Sequence, residues 1–156
     1  MIHRQEEILQ WGRNRGIYEH SNPFAQSVKL WEEYAELRKA VLKKDIEGIK
    51  DGIGDVAVVT VHMAKFANCP LQYIAAIRHS NVEAVLDNIA YHLSLGPASK
   101  YSEAVTGLAS LARAHDLTLD ECIDHVIPII QARTGRMDEH GVWVKDAPTL
   151  TEVESA

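Results

Sequence analysis

Glu33 and Glu36 stand one helical turn apart, and after 14 intervening residues Asp51 and Asp55 stand one turn apart again. Residues three or four apart on a helix share a face, so Glu33 and Glu36 can both reach one cation. A second helix running antiparallel would set Asp51 and Asp55 opposite them. Several carboxylates around one pocket repel each other, and an unpaired buried charge is costly, so hard divalent cations are the natural neutralisers. Mg²⁺ suits such oxygen ligands, keeps several waters and fills its octahedron with substrate phosphates, which ties an acidic site to an anionic nucleotide. Against this stands a plainer possibility, in which Glu32, Glu33 and Glu36 form a solvated helix face. Two features favour the metal: Glu33 borders an apolar stripe, and Asp55 interrupts a strongly apolar helix where a charge would otherwise be a defect.

Further residues gather around this constellation. Lys29 precedes Glu33 by one turn and Gln26 lies three residues before it, so both can line the same pocket, Lys29 for a phosphate and Gln26 for a base edge. An ion pair with Glu33 is the simpler role for Lys29. Arg133, Arg136 and Lys145 are candidate outer phosphate contacts, although basic residues also gather at helix ends through the macrodipole alone. His62, two turns beyond Asp55, can touch a ligand or serve the core; Trp11 and Trp31 can stack on a base or simply pack. Cys69 and Cys122 read as small core residues, and no zinc spacing, Gly-rich phosphate loop or nucleophile elbow occurs.

The elements that must position these groups are helices. A first helix is expected over about Arg4 to Asn14, stopped near Gly16, with a loop from Gly16 to Pro23. Ser21 or Asn22 can cap the next helix, about Pro23 to Lys43, with Pro23 preset for its first turn. Leu30, Tyr34, Leu37 and Val41 give that helix one buried stripe, which Gln26, Lys29, Glu33 and Glu36 flank. The helix from about Asp45 to Asn68 carries a near-heptad seam of Ile46, Ile49, Ile53, Val56, Thr60 and Met63, then turns apolar almost all round. It belongs at the centre of a bundle or is shared between subunits, and Asp51, Asp55 and His62 line one polar strip along it. Weaker helices are expected at Leu71 to Arg78 and Val82 to Leu95, then a turn at Gly96-Pro97. Helices near Ser102 to His115 and Leu119 to Arg133 follow, the last opened by a capping box, Thr118 to Glu121, and kinked at Pro128. Gly135 to Lys145 reads as a turn with a short strand, Val142-Trp143-Val144.

Length and composition agree with one all-α domain over residues 1–146 and a loose tail at 147–156. Apolar residues make up 46 % and charged residues 24 % of the 156, which places the chain among globular proteins. The formal charge of −6, from 16 Lys and Arg against 22 Asp and Glu, argues against nucleic acid as a partner. Two cysteines and the lack of any signal-like or membrane-length apolar run point to a reducing cytoplasm and no membrane.

Two blocks of the sequence resemble the MazG-like all-α nucleoside triphosphate pyrophosphohydrolases of the short, single-domain bacterial and phage type. One runs from Trp11-Gly12-Arg13-Asn14-Arg15-Gly16 through Gln26-x-x-Lys29-Leu30-x-Glu32-Glu33-x-x-Glu36-Leu37 to Gly54-Asp55-Val56. The other spans Leu117 to Cys122, Arg133 to Met137 and Gly141 to Lys145. The resemblance implies a four-helix core, here with added C-terminal helices and a short strand or turn, assembled as a homo-oligomer, a dimer or tetramer. It also implies Mg²⁺, with Mn²⁺ able to substitute, and cleavage of a (d)NTP between the α and β phosphates. Glu33, Glu36 and Asp55 match the family's Glu-x-x-Glu and Glu-x-x-Asp pattern directly, as metal ligands and catalytic groups; Glu32 would orient the attacking water. Gly52 stands where the family usually has Glu, so either Asp51 is the substitute ligand or the site holds fewer metals; a glycine inside the helix says that bulk is unwelcome, because a helix or the nucleotide approaches there, and the space above Gly52 is expected to receive substrate. A helical dUTPase or a phosphoribosyl-ATP pyrophosphohydrolase is the neighbouring alternative, and a non-catalytic helical oligomerisation or regulatory module the alternative of another class.

Overall fold

Asn22 stops the chain in an extended conformation, its side-chain oxygen accepts the Ala25 N–H at 2.9 Å, and Pro23 enters the first turn of a 21-residue helix. Such capping recurs: Asp45 accepts from Gly48 N–H at 3.1 Å, Asn81 from Ala84 at 3.0 Å and Thr118 from Glu121 at 3.1 Å, each satisfying a donor that a helix start leaves open. The computed structural model describes residues 1–78, 81–96 and 101–146. They form α1 (Gln5–Asn14), α2 (Ile17–His20), α3 (Pro23–Lys43), α4 (Ile46–Phe66), α5 (Val82–Ser94), α6 (Tyr101–Ala114) and α7 (Leu119–Ala132), then strands β1 (Gly135–Met137) and β2 (Trp143–Lys145). The protein is all-α with a short C-terminal strand pair.

At the centre lies α4, packed against α1, α3, α6 and α7, while α5 pairs with α6. Twelve of its 21 residues are buried, among them Ile49, Ile53, Val56, Thr60 and Met63 of the expected seam. Lys44 reverses the chain between α3 and α4 in the left-handed region, and Lys44 N–H and Asp45 N–H bond back to Val41 and Ala40 carbonyls, so the two helices run antiparallel. The segment Gly52-Ile53-Gly54 lets α4 be approached from two sides. A Cβ on Gly52 would sit 2.9 Å from Leu37 Cα of α3, and one on Gly54 would sit 2.4 Å from the Cys122 carbonyl oxygen of α7. The space above Gly52 therefore holds α3, not substrate, which corrects the sequence expectation.

Other expectations are also revised. The stretch between α1 and α3 contains α2, entered through Gly16 at φ 72°. Leu71–Arg78 is not helical: Leu71 is buried, and the chain runs as a strap along α6, where Ser102 Oγ accepts Gln72 N–H at 2.8 Å and Ser110 Oγ accepts Ile77 N–H at 3.0 Å. Pro128 lies inside α7, as the sequence reading has it, and the helix continues to Ala132. The C-terminal strand begins at Trp143 rather than Val142 and pairs antiparallel with β1, Gly135 opposite Lys145 and Met137 opposite Trp143. Gly96 enters its expected turn at φ 60°, whereas Pro97 and the 147–156 tail lie outside the described residues. No described helix is long and apolar enough to cross a membrane.

Candidate functional site

Helices α1, α3, α4 and α7 and strand β2 wall a single cleft. From α3 come Gln26, Lys29 and Glu33, spaced three and four residues apart on one face; from α4 come Asp55, Val58, Val59 and His62 by the same logic. The end of α7 supplies Ile130 and, one residue past it, Arg133; α1 and the turn after it supply Trp11 and Arg15. Strand alternation puts Trp143 and Lys145 on the same side of β2, and both face the cleft. The hairpin is held there by the Ser21 hydroxyl, which donates to the Gly141 carbonyl at 2.6 Å and accepts from Gln26 Nε2 at 3.0 Å. The cavity measures about 80 Å³.

Its two acids are the most perturbed carboxyls of the cleft. Burial, then the charge of Glu33, lifts Asp55 to about 7, and the two carboxyl groups lie within hydrogen-bonding reach of each other. Burial, then the neighbouring Glu36, lifts Glu33, against the opposing pull of Lys29, Arg133 and Lys145. Lys29, Arg133 and Lys145 thus bring positive charge to a site whose carboxylates resist ionising together.

The remaining sequence candidates divide. Glu36 and Asp51 open onto an adjoining groove that shares Asp55 with the cleft. Asp51 Oδ1 meets His125 Nε2 of α7 at 2.5 Å, a partner 74 residues away that sequence spacing did not suggest. Glu32 is exposed and pairs with Lys29 at 3.5 Å, so the expected Lys29 partner is Glu32 in place of Glu33. Arg136 is exposed and Trp31 lines a different groove, against Tyr34, whereas Trp11 is in the cleft. Among the described residues no three His, Cys, Asp or Glu side chains are placed together as a ligand group.

Sequence reasoning gave no role to Arg15, Tyr18, His125 or Trp143. The Arg15 guanidinium lies 4.3 Å from the Trp143 ring centroid and 5.1 Å from that of Trp11, and donates to the Ile130 and Arg133 carbonyls, thereby tying α1, α7 and the hairpin together. Burial and the nearby Arg133 lower its pKa. The Arg15 and Trp143 pairing spans most of the chain, which no local pattern reveals.

Over 60 residues the chain is 45 % identical to an uncharacterized 18.2 kDa protein in the rep-hol intergenic region of Haemophilus phage HP1, a match that takes in 38 % of this chain and 37 % of that protein. The chain thus spans little more than a third of that relative. No family model and no solved structure matches the chain.

Proposed function

We propose that the protein is a Mg²⁺-dependent, MazG-like nucleotide pyrophosphohydrolase that converts a (d)NTP to (d)NMP and pyrophosphate. The carrying observation is the cleft itself: two half-buried carboxyls that repel each other, three cationic side chains around them, and aromatic rings beyond. A substrate whose charged phosphates join a flat base matches that order of groups.

The donor chemistry fits a hard divalent cation, because the burial and mutual repulsion that disfavour ionised Glu33 and Asp55 would be offset by a metal's charge. Glu33 and Asp55 would hold it from the cleft, Glu36 and Asp51 from the adjoining groove, and the remaining positions belong to water and phosphate oxygens. Bound there, the ion supplies Lewis acidity and offsets charge on the leaving pyrophosphate. Lys29, Arg133 and Lys145 bind and orient the phosphates, and their charge offsets the negative charge that builds on the leaving pyrophosphate as water attacks the α-phosphorus and its bond to the bridging oxygen breaks, the proton of the water going to solvent or to the departing phosphate. Glu32 positions the Lys29 ammonium through its ion pair. Gln26, fixed by Ser21, lies on the wall between the acids and the hairpin and orients the substrate.

The same reading takes the protein as a cytoplasmic homo-oligomer, a dimer or tetramer, of a bacterial or phage-infected cell. Phe24, Val28 and Trp31, which share an exposed face of α3, support association, and the phage relative supports the setting. Gly52, which carries no side chain where the resembled family has a ligand, favours the second reading, a non-catalytic helical module. Pyrophosphate release from a (d)NTP panel with Mg²⁺ or Mn²⁺ separates the two. Turnover is expected, falling at least about 10²-fold in Glu33→Gln and Asp55→Asn while the helical circular-dichroism spectrum persists. Full activity in either variant rejects the site.

A further inference from the structure

Three side-chain nitrogens are buried without a hydrogen-bond partner among the described residues, namely Trp11 Nε1, His62 Nε2 and Trp143 Nε1. All three residues line the same cleft. A buried polar group left unpaired costs about 1–3 kcal/mol, so His62 Nε2 and Trp11 Nε1, on stacked rings beside one cavity, point to a partner from outside the fold, whereas Trp143 Nε1 lies against Gly135 of β1.

His62 is the best defined of the three, being 2 % exposed. Its ring stacks at 27° on Trp11, with centroids 5.6 Å apart, and its Nδ1 lies 2.8 Å from the Tyr18 hydroxyl. Gly12 of α1 makes this fit possible, because a Cβ there would stand 2.8 Å from the Tyr18 oxygen and 3.0 Å from His62 Cε1. Burial pushes His62 down to about 4 and Tyr18 up to about 12, so both are neutral at physiological pH. If the phenol donates to Nδ1, its proton is used and Nε2 carries the hydrogen. The opposite direction would strand the phenolic proton as well as Nε2. The economical arrangement makes His62 a donor at this end of the cleft, its imidazole N–H beside the indole N–H of the Trp11 ring it stacks on.

We infer that His62, held as the Nε2–H tautomer by Tyr18, reads the base of the nucleotide as a hydrogen-bond donor, so that the cleft selects bases presenting a carbonyl oxygen over those presenting an amino group. This rests on the nucleotide reading above. Uracil and cytosine differ by a carbonyl against an amino group at one ring position, as do hypoxanthine and adenine, and an amino group set against the His62 N–H meets it donor to donor and leaves it unpaired. Trp11, stacked on the His62 ring, bounds the apolar slot beside that edge.

The test is calorimetric binding to the full chain, with Mg²⁺ present, of the non-hydrolysable α,β-imido analogues of dUTP, dCTP, dITP and dATP. The dUTP and dITP analogues are expected to bind at least about tenfold more tightly than their amino counterparts. Equal affinity across each pair overturns the base assignment and leaves the cleft a nucleotide site; no binding of any of the four overturns both. Tyr18→Phe keeps the ring but frees Nδ1, and is expected to shrink the preference to under about threefold. Long-range ¹⁵N–¹H spectra of the unaltered protein provide a check independent of any variant: a proton on Nε2 is expected, and a proton on Nδ1 overturns the role given to His62.

Discussion

Asp55 interrupts the apolar run of α4 and is lifted to about 7 by burial first and Glu33 second, with Arg133 opposing and Asp51 adding. In the unfolded chain the carboxyl would titrate near 3.8, so folding takes up a proton between these values. The sign follows: its contribution to stability is fully present below about 4 and is lost as pH rises through about 7. In chelator, the stability of the wild-type protein relative to Asp55→Asn is therefore expected to fall by roughly 1–3 kcal/mol between pH 5 and pH 8. Millimolar Mg²⁺ should restore it at pH 8 by binding the folded state. Parallel melting curves for the two proteins at every pH would remove Asp55 from the titrating site. Spacing alone placed Glu33 and Asp55 on facing helices, since three and four residues make one turn. It could not pair Asp51 with His125 or Tyr18 with His62, because those contacts depend on how α7 and α2 dock.

Gly52-Ile53-Gly54 shows where element-scale reading runs short. Glycine in a helix reports that bulk is unwelcome but not which neighbour objects; here Leu37 of α3 and the Cys122 carbonyl of α7 do so on opposite sides. Alanine at either position gains up to about 1 kcal/mol in helix propensity. The new methyl group, however, meets backbone atoms at 2.9 Å or 2.4 Å, which cannot yield without moving a helix. Gly52→Ala and Gly54→Ala are each expected to destabilise by a net 1–3 kcal/mol or so in urea unfolding, and stabilisation by either would contradict this packing. Caps and apolar periodicity made α3, α4 and α7 legible almost to the residue. The strap at Leu71–Arg78 was not, for its apolar residues suggested helix while its structure depends on the hydroxyls of Ser102 and Ser110, 30 and 33 positions on from Gln72 and Ile77.

For the molecule as a whole, the question is what covers α4. Its sequence, apolar on nearly every face, fits either the centre of a bundle or a helix shared between subunits. The structure answers within one chain: α3 lies on one side, α7 on another, and α1 and α6 complete the surround, leaving Ile49, Ile53, Val56 and Ala57 fully buried. Association, if it uses the exposed Phe24, Val28 and Trp31 of α3, then adds to a core that is already closed. That separates oligomerisation from folding. An obligate oligomer loses its fold on dissociation, so its melting temperature rises with protein concentration; a chain that closes its own core does not depend on the partner in this way. The melting temperature is therefore expected to change by less than about 2 °C between nanomolar and high-micromolar protein, even where sedimentation shows a dimer or tetramer at the upper end. A melting temperature that climbs steadily with concentration, together with loss of helical signal on dilution, would mean that α4 needs a second chain after all.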